Sequence, residues 1–121
     1  MNPAEIFDRT VYDSLASELG TEDTAEILNG FLADTSDKLE RLSTHTPDRQ
    51  TTRREVHSIK SSSATFGFLE LSRLAREIEA NLQEMSPDAL RGAIEELRHS
   101  FMIIRRLAEA ILPVDIKEIA R

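Results

Sequence analysis

His57, Lys60, Ser61 and Ala64 form the one cluster in this 121-residue chain whose side-chain types and spacing suit a chemical step. On a helix, residues three and four apart are neighbours, so Lys60 and Ser61 lie one turn beyond His57, and Ala64 lies two turns on. Val56, Ile59, Ser63 and Phe66 repeat at core spacing, and at 100° per residue His57 points roughly 120 to 150° away from their common direction. His57 is therefore expected to face water, with a cation beside it and small side chains above it. A neutral imidazole is a nucleophile near neutral pH, an adjacent ammonium offsets phosphate charge, and small neighbours leave room for a second protein. The chemistry this suits is phosphoryl transfer. Spacing alone does not separate it from an ordinary solvated helix face.

The elements that must position this cluster are helices. Only 4 Gly and 4 Pro occur, Trp is absent, and apolar residues recur three and four apart over long stretches. Capping side chains precede prolines at Asn2-Pro3, Thr46-Pro47 and Ser86-Pro87, which marks three helix starts. The pattern predicts a first helix from about Pro3 to Leu19, with Phe7, Val11 and Leu15 on one face and Gly20 at its end. A second runs from about Glu22 to Ser43, with the stripe Leu28, Phe31, Thr35, Leu39 and Leu42. The third starts at Pro47 or later, since Thr52 and Glu55 also have capping-box spacing, and loosens near Gly67. A fourth turns Leu71, Leu74, Ile78 and Leu82 inward. The last, Pro87 to Leu112, buries Leu90, Ile94, Leu97, Phe101, Ile104 and Ile111 and is stopped by Pro113. The expected fold is all-α: an antiparallel four-helix bundle over residues 1–112 with an additional N-terminal helix, followed by a C-terminal tail, 113–121.

Composition removes several classes of function. The formal net charge is -7, with 22 acidic and 15 basic side chains, which disfavours nucleic acid and favours a protein partner. Without cysteine there is no disulfide, thiol nucleophile or thiolate metal site. No apolar run approaches a membrane span and the N-terminus is not a signal peptide, so a cytoplasmic chain is expected. His45, in a polar turn, and His99, beside Arg98, stand in no metal-ligand spacing. The pairs Glu95-Glu96 and Asp34-Asp37 read as solvating charge. No metal and no cofactor are expected, and no phosphate-binding glycine loop is present, so the chain should have no ATP site of its own. Phe66, Phe68 and Phe101 read as core or rim packing, with Phe68, just past Gly67, also placed to face a partner.

The run His57-Ser58-Ile59-Lys60-Ser61-Ser62-Ser63-Ala64-Thr65-Phe66-Gly67-Phe68 resembles the signature of histidine-containing phosphotransfer domains, most nearly that of the N-terminal domain of chemotaxis histidine kinases. The resemblance implies a helical phosphoryl carrier in a two-component phosphorelay, loaded by a histidine kinase or a receiver aspartate and unloaded by a receiver domain. It implies that His57 is phosphorylated, that Lys60 is the phosphate-side cation, and that Glu79 accepts a hydrogen bond from the ring nitrogen that does not react. Ser61, Ala64 and Phe68 would meet the partner, and Gly67 would mark the close approach of the third and fourth helices. The family most often has glycine where Ser61 stands, and a small residue at Phe68 outside the chemotaxis members. A monomer is expected, free-standing by its Met1 and its tail. The competing readings are a helical adaptor that is never phosphorylated, and the N-terminal domain of a larger chemotaxis-type kinase.

Overall fold

In the computed structural model, residues 6–44 and 48–111 are described. They form five helices: α1 (Arg9–Leu19), α2 (Thr21–Thr44), α3 (Arg49–Phe66), α4 (Leu69–Asn81) and α5 (Pro87–Ile111). Helices α2, α3, α4 and α5 each pack on the next, and α5 returns to α2, which closes a four-helix bundle. Short turns make chain neighbours antiparallel. Helix α1 lies across α2 and α3. The fold is all-α, as the apolar periodicity requires.

The helix starts follow local chemistry, though not always at the expected residue. The expected first helix is interrupted: Ile6 is helical, Phe7 and Asp8 are not, and α1 runs from Arg9. Asp8 has an extended backbone and its carboxylate accepts the Thr10 N–H, the N-cap interaction. Its own N–H is committed to the Gly67 carbonyl at 2.8 Å, so the chain is tied to the α3–α4 turn at this point. Asn2-Pro3 lies outside the described residues. Helix α3 is capped by Asp48, whose carboxylate accepts the Thr51 N–H at 2.7 Å, and not by Thr52. Thr46-Pro47 also falls outside the described residues, as do Pro113 and the tail. At Ser86-Pro87 the expected start is found, with Ser86 Oγ accepting the Ala89 N–H at 3.1 Å.

The core contains the expected stripes on α2, α3 and α5, from Leu28 to Leu42, from Val56 to Phe66, and from Leu90 to Ile104. Two faces are corrected. On α1 the buried residue is Tyr12, with Val11 and Leu15 partly covered and Leu15 packed against the core. On α4 Ala75 is buried and Leu74 is half-exposed. The side chain of Ile111 is not described.

Helix α3 ends on a Schellman motif. Gly67 adopts φ +86, its N–H donates to Ala64 O, and the Phe68 N–H donates to Ser63 O. A Cβ on Gly67 would stand 2.5 Å from the Asp8 carbonyl oxygen and 3.1 Å from Val11 Cβ. The close approach that requires glycine is thus to the segment leading into α1, rather than between the third and fourth helices as expected. Turned inward by this motif, the Phe68 ring stacks on Phe31 at 5.7 Å and lies 5.2 Å from Phe7. Phe68 is 1% exposed. Buried in this way it does not meet a partner, contrary to the expectation from sequence.

Candidate functional site

Helix α3 sends a polar edge toward α4. Arg49, Arg53, His57 and Lys60 recur at helical spacing along it. Glu79 answers from the last turn of α4, one residue round from buried Ile78, a position that places it at the bundle's flank. Its two carboxylate oxygens are divided between two α3 side chains. Oε2 lies 2.7 Å from His57 Nδ1, and Oε1 accepts from Lys60 Nζ at 2.7 Å. Neither Arg76 on the same helix nor Gln83, which lies in the turn beyond its end, takes this place among the described contacts.

Burial and charge decide the protonation pattern. The Glu79 side chain is 20% exposed, which by itself would raise its pKa, but the hydrogen bond from Lys60, followed by that from His57, outweighs burial and holds it below the usual carboxylate range. An ionised carboxylate only accepts, so the 2.7 Å contact places a proton on His57 Nδ1, and in the neutral ring this leaves the lone pair on Nε2. The His57 side chain remains 57% exposed, so the imidazole is tethered at one nitrogen and open to solvent over most of its surface. Lys60, 29% exposed, sits one turn away with its ammonium drawn to Glu79.

Contacts that sequence reading did not anticipate hold the helix beneath this triad. Lys38 of α2 donates to Ser58 Oγ at 2.7 Å and pairs with Asp34 at 2.9 Å. From α4, Ser72 Oγ donates to the Lys60 carbonyl at 2.9 Å. Only the Asp34–Lys38 spacing of four is visible in one dimension; the contacts across helices depend on how α2 and α4 are rotated against α3. On the open side, Ser61 and Ala64 are exposed on the same face as His57 and add little bulk above the ring.

Among the described residues, the other histidine and the carboxylate pairs singled out by sequence stand apart from this cluster. His45 is outside the described residues. His99 lies on α5 beside Glu96, in a groove with Glu70 and Arg73 between α4 and α5. Asp34 pairs with Lys38, and Glu95 approaches Arg98 at 3.8 Å. Among the described residues no group of three potential ligands could hold a metal ion, and no helix is long and apolar enough to cross a membrane.

An exposed imidazole with its Nδ1 proton fixed by a carboxylate presents Nε2 as a nucleophile, and a neighbouring ammonium can lower the cost of bringing an anionic electrophile to it. A model of the Hpt domain family matches residues 26–119, from the first turns of α2 to beyond α5. No curated protein and no solved structure matches the chain.

Proposed function

Since the chain belongs to the Hpt domain family and so has a histidine phosphotransfer role in phosphorelays, we propose that His57 is its phosphoryl acceptor and donor, with Glu79 and Lys60 as the residues that ready it. The observation that carries this assignment is the single Glu79 carboxylate shared between His57 Nδ1 and Lys60 Nζ beside an exposed ring.

In the proposed loading step, Nε2 of His57 attacks the phosphorus of a receiver's aspartyl phosphate, or of a kinase's phosphohistidine. The Nε2–P bond forms as the bond from phosphorus to the donor atom breaks, and the electron pair of that bond leaves with the donor. Such transfers pass through a loose transition state, so the protein contributes position and charge more than covalent chemistry. The Nδ1 proton stays in place. Phosphorylation at Nε2 leaves the ring with cationic character, and the Glu79 carboxylate offsets it. Lys60, within one turn, is placed to turn its ammonium from Glu79 toward the phosphoryl oxygens. Unloading is the reverse step onto the aspartate of a second receiver, docked over Ser61 and Ala64.

In this reading the chain is a carrier: it has no nucleotide site of its own, works with receiver domains and a histidine kinase, and acts as a monomer in the cytoplasm through its 1–112 bundle. The test is to incubate it with phosphorylated receiver domains and histidine kinases carrying labelled phosphate and to follow the label. Acid-labile, base-stable label appearing on the chain and then leaving to an added receiver supports the assignment. A chain that stays unlabelled with every donor of the organism would be a helical adaptor.

A further inference from the structure

Helix α4 ends differently from α3. Its last residues lead into Leu82, which keeps helical angles (φ -54, ψ -39), and no residue at that end takes the left-handed conformation that closes α3 at Gly67. The last turn of α4 contains no basic residue of its own. A helix C-terminus leaves carbonyl oxygens without intrahelical donors and carries partial negative charge, so a cation or a donor must come from elsewhere. The turn after α4 supplies two backbone donors, Glu84 N–H to the Asn81 carbonyl at 3.0 Å and Met85 N–H to the Leu82 carbonyl at 3.4 Å, and the positive charge comes from α3. One Nη of Arg49 donates to the Leu82 carbonyl and the other donates to the Met85 carbonyl at 2.6 Å. One turn on, Arg53 reaches the Glu79 carbonyl at 3.4 Å.

We infer that Arg49 is a positioning residue for His57: its guanidinium caps the C-terminus of α4 and thereby holds the helical turn from which Glu79 orients the imidazole. Glu79 is only three residues before Leu82, so fraying of that end reaches it directly. The planar guanidinium suits the task because its two nitrogens address two carbonyls in a fixed fork, whereas an ammonium would have to reach both from a single atom. Along α3 the same edge therefore carries the reacting residue and, two turns earlier, the group that fixes the reacting residue's partner. The inference rests on the phosphotransfer reading for its kinetic consequence but not for its structural one.

The test compares Arg49→Met, Arg49→Lys and Ile104→Val, the last a core variant on α5 that lowers stability by ordinary loss of packing. Nitrogen-15 NMR of the His57 ring reports the tautomer directly. Arg49→Met is expected to shift the ring from the Nδ1-protonated form toward a mixture and to slow phosphoryl transfer several-fold, approaching the Glu79→Ala values. Arg49→Lys should fall between it and the native chain, and Ile104→Val should keep the native ring spectrum. The inference is overturned if Arg49→Met keeps the native tautomer, or if Ile104→Val moves the ring as far as Arg49→Met does, which would reduce the effect to general destabilisation. If the native chain accepts no phosphoryl group, the phosphotransfer reading fails, while the ring spectra still decide whether Arg49 positions Glu79.

Discussion

Replacing Glu79 by alanine removes the acceptor at His57 Nδ1 while leaving the ring in place on α3. A hydrogen bond to a charged acceptor contributes about 1.5–3 kcal/mol where it is sheltered. The His57 side chain is 57% exposed, so water competes for the same proton and the effective preference is about 1 kcal/mol. At roughly 1.4 kcal/mol per tenfold, the ratio of Nδ1-protonated to Nε2-protonated ring should fall about fivefold in Glu79→Ala. Glu79→Gln keeps an oxygen at the same reach but without charge, and neutral hydrogen bonds have about half the strength, so its ratio should fall only about twofold. The ratio is read from the ring nitrogen shifts of selectively labelled histidine above the titration range of the imidazole. Transfer from a phosphorylated receiver, measured on the same samples, should slow in the same order. Ring shifts identical in all three proteins would refute the reasoning, because the 2.7 Å contact would then exert no preference on the proton.

Gly67→Ala should cost about 2–3 kcal/mol, from a left-handed backbone at φ +86 and from a Cβ 2.5 Å from the Asp8 carbonyl that breaks the Asp8–Gly67 hydrogen bond. At about 4 °C per kcal/mol for a chain of this size, its Tm should drop by about 10 °C, and an unchanged Tm would contradict the described turn. Phe68→Ala should lose about 3–5 kcal/mol in denaturant unfolding, as a fully buried aromatic does, whereas a partner-facing Phe68 would be nearly silent. Because Lys60 first and His57 second hold the Glu79 pKa below the ordinary glutamate range, Glu79 contributes stability that is fully present above that range and is lost as pH falls through its lowered folded value. Urea unfolding between pH 6 and pH 3 should show this loss in the native chain and a smaller one in Lys60→Met; equal slopes would remove Lys60 as the chief cause.

Much of the architecture is legible in one dimension because it rests on local rules. The stripes of α2, α3 and α5 follow from apolar spacing, and Ser86-Pro87 marks the start of α5 by side-chain capping alone. What escaped detection depends on contacts across the chain. Nothing near Phe7 and Asp8 announces a break, since the Asp8 N–H is held by Gly67, nearly sixty residues away. Phe68 looks available after a glycine, yet the Schellman geometry at Gly67 turns it into the cluster with Phe7 and Phe31. The site divides in the same way. That His57 and Lys60 share an exposed edge of α3 follows from their spacing, and the flank position of Glu79 follows from its offset from Ile78. That one carboxylate serves both, and that Arg49 closes the helix carrying it, depends on the rotation of α4 against α3, which periodicity leaves undetermined.

The most direct test of the central assignment is the phosphorylation of His57 itself. A labelled receiver or kinase is mixed with the native chain and with His57→Gln, and circular dichroism verifies that both keep their helices, as expected for a residue outside the buried stripe Val56, Ile59, Ser63 and Phe66. The account predicts acid-labile, base-stable label on the native chain and none on His57→Gln. Label taken up by His57→Gln at the native rate would contradict it.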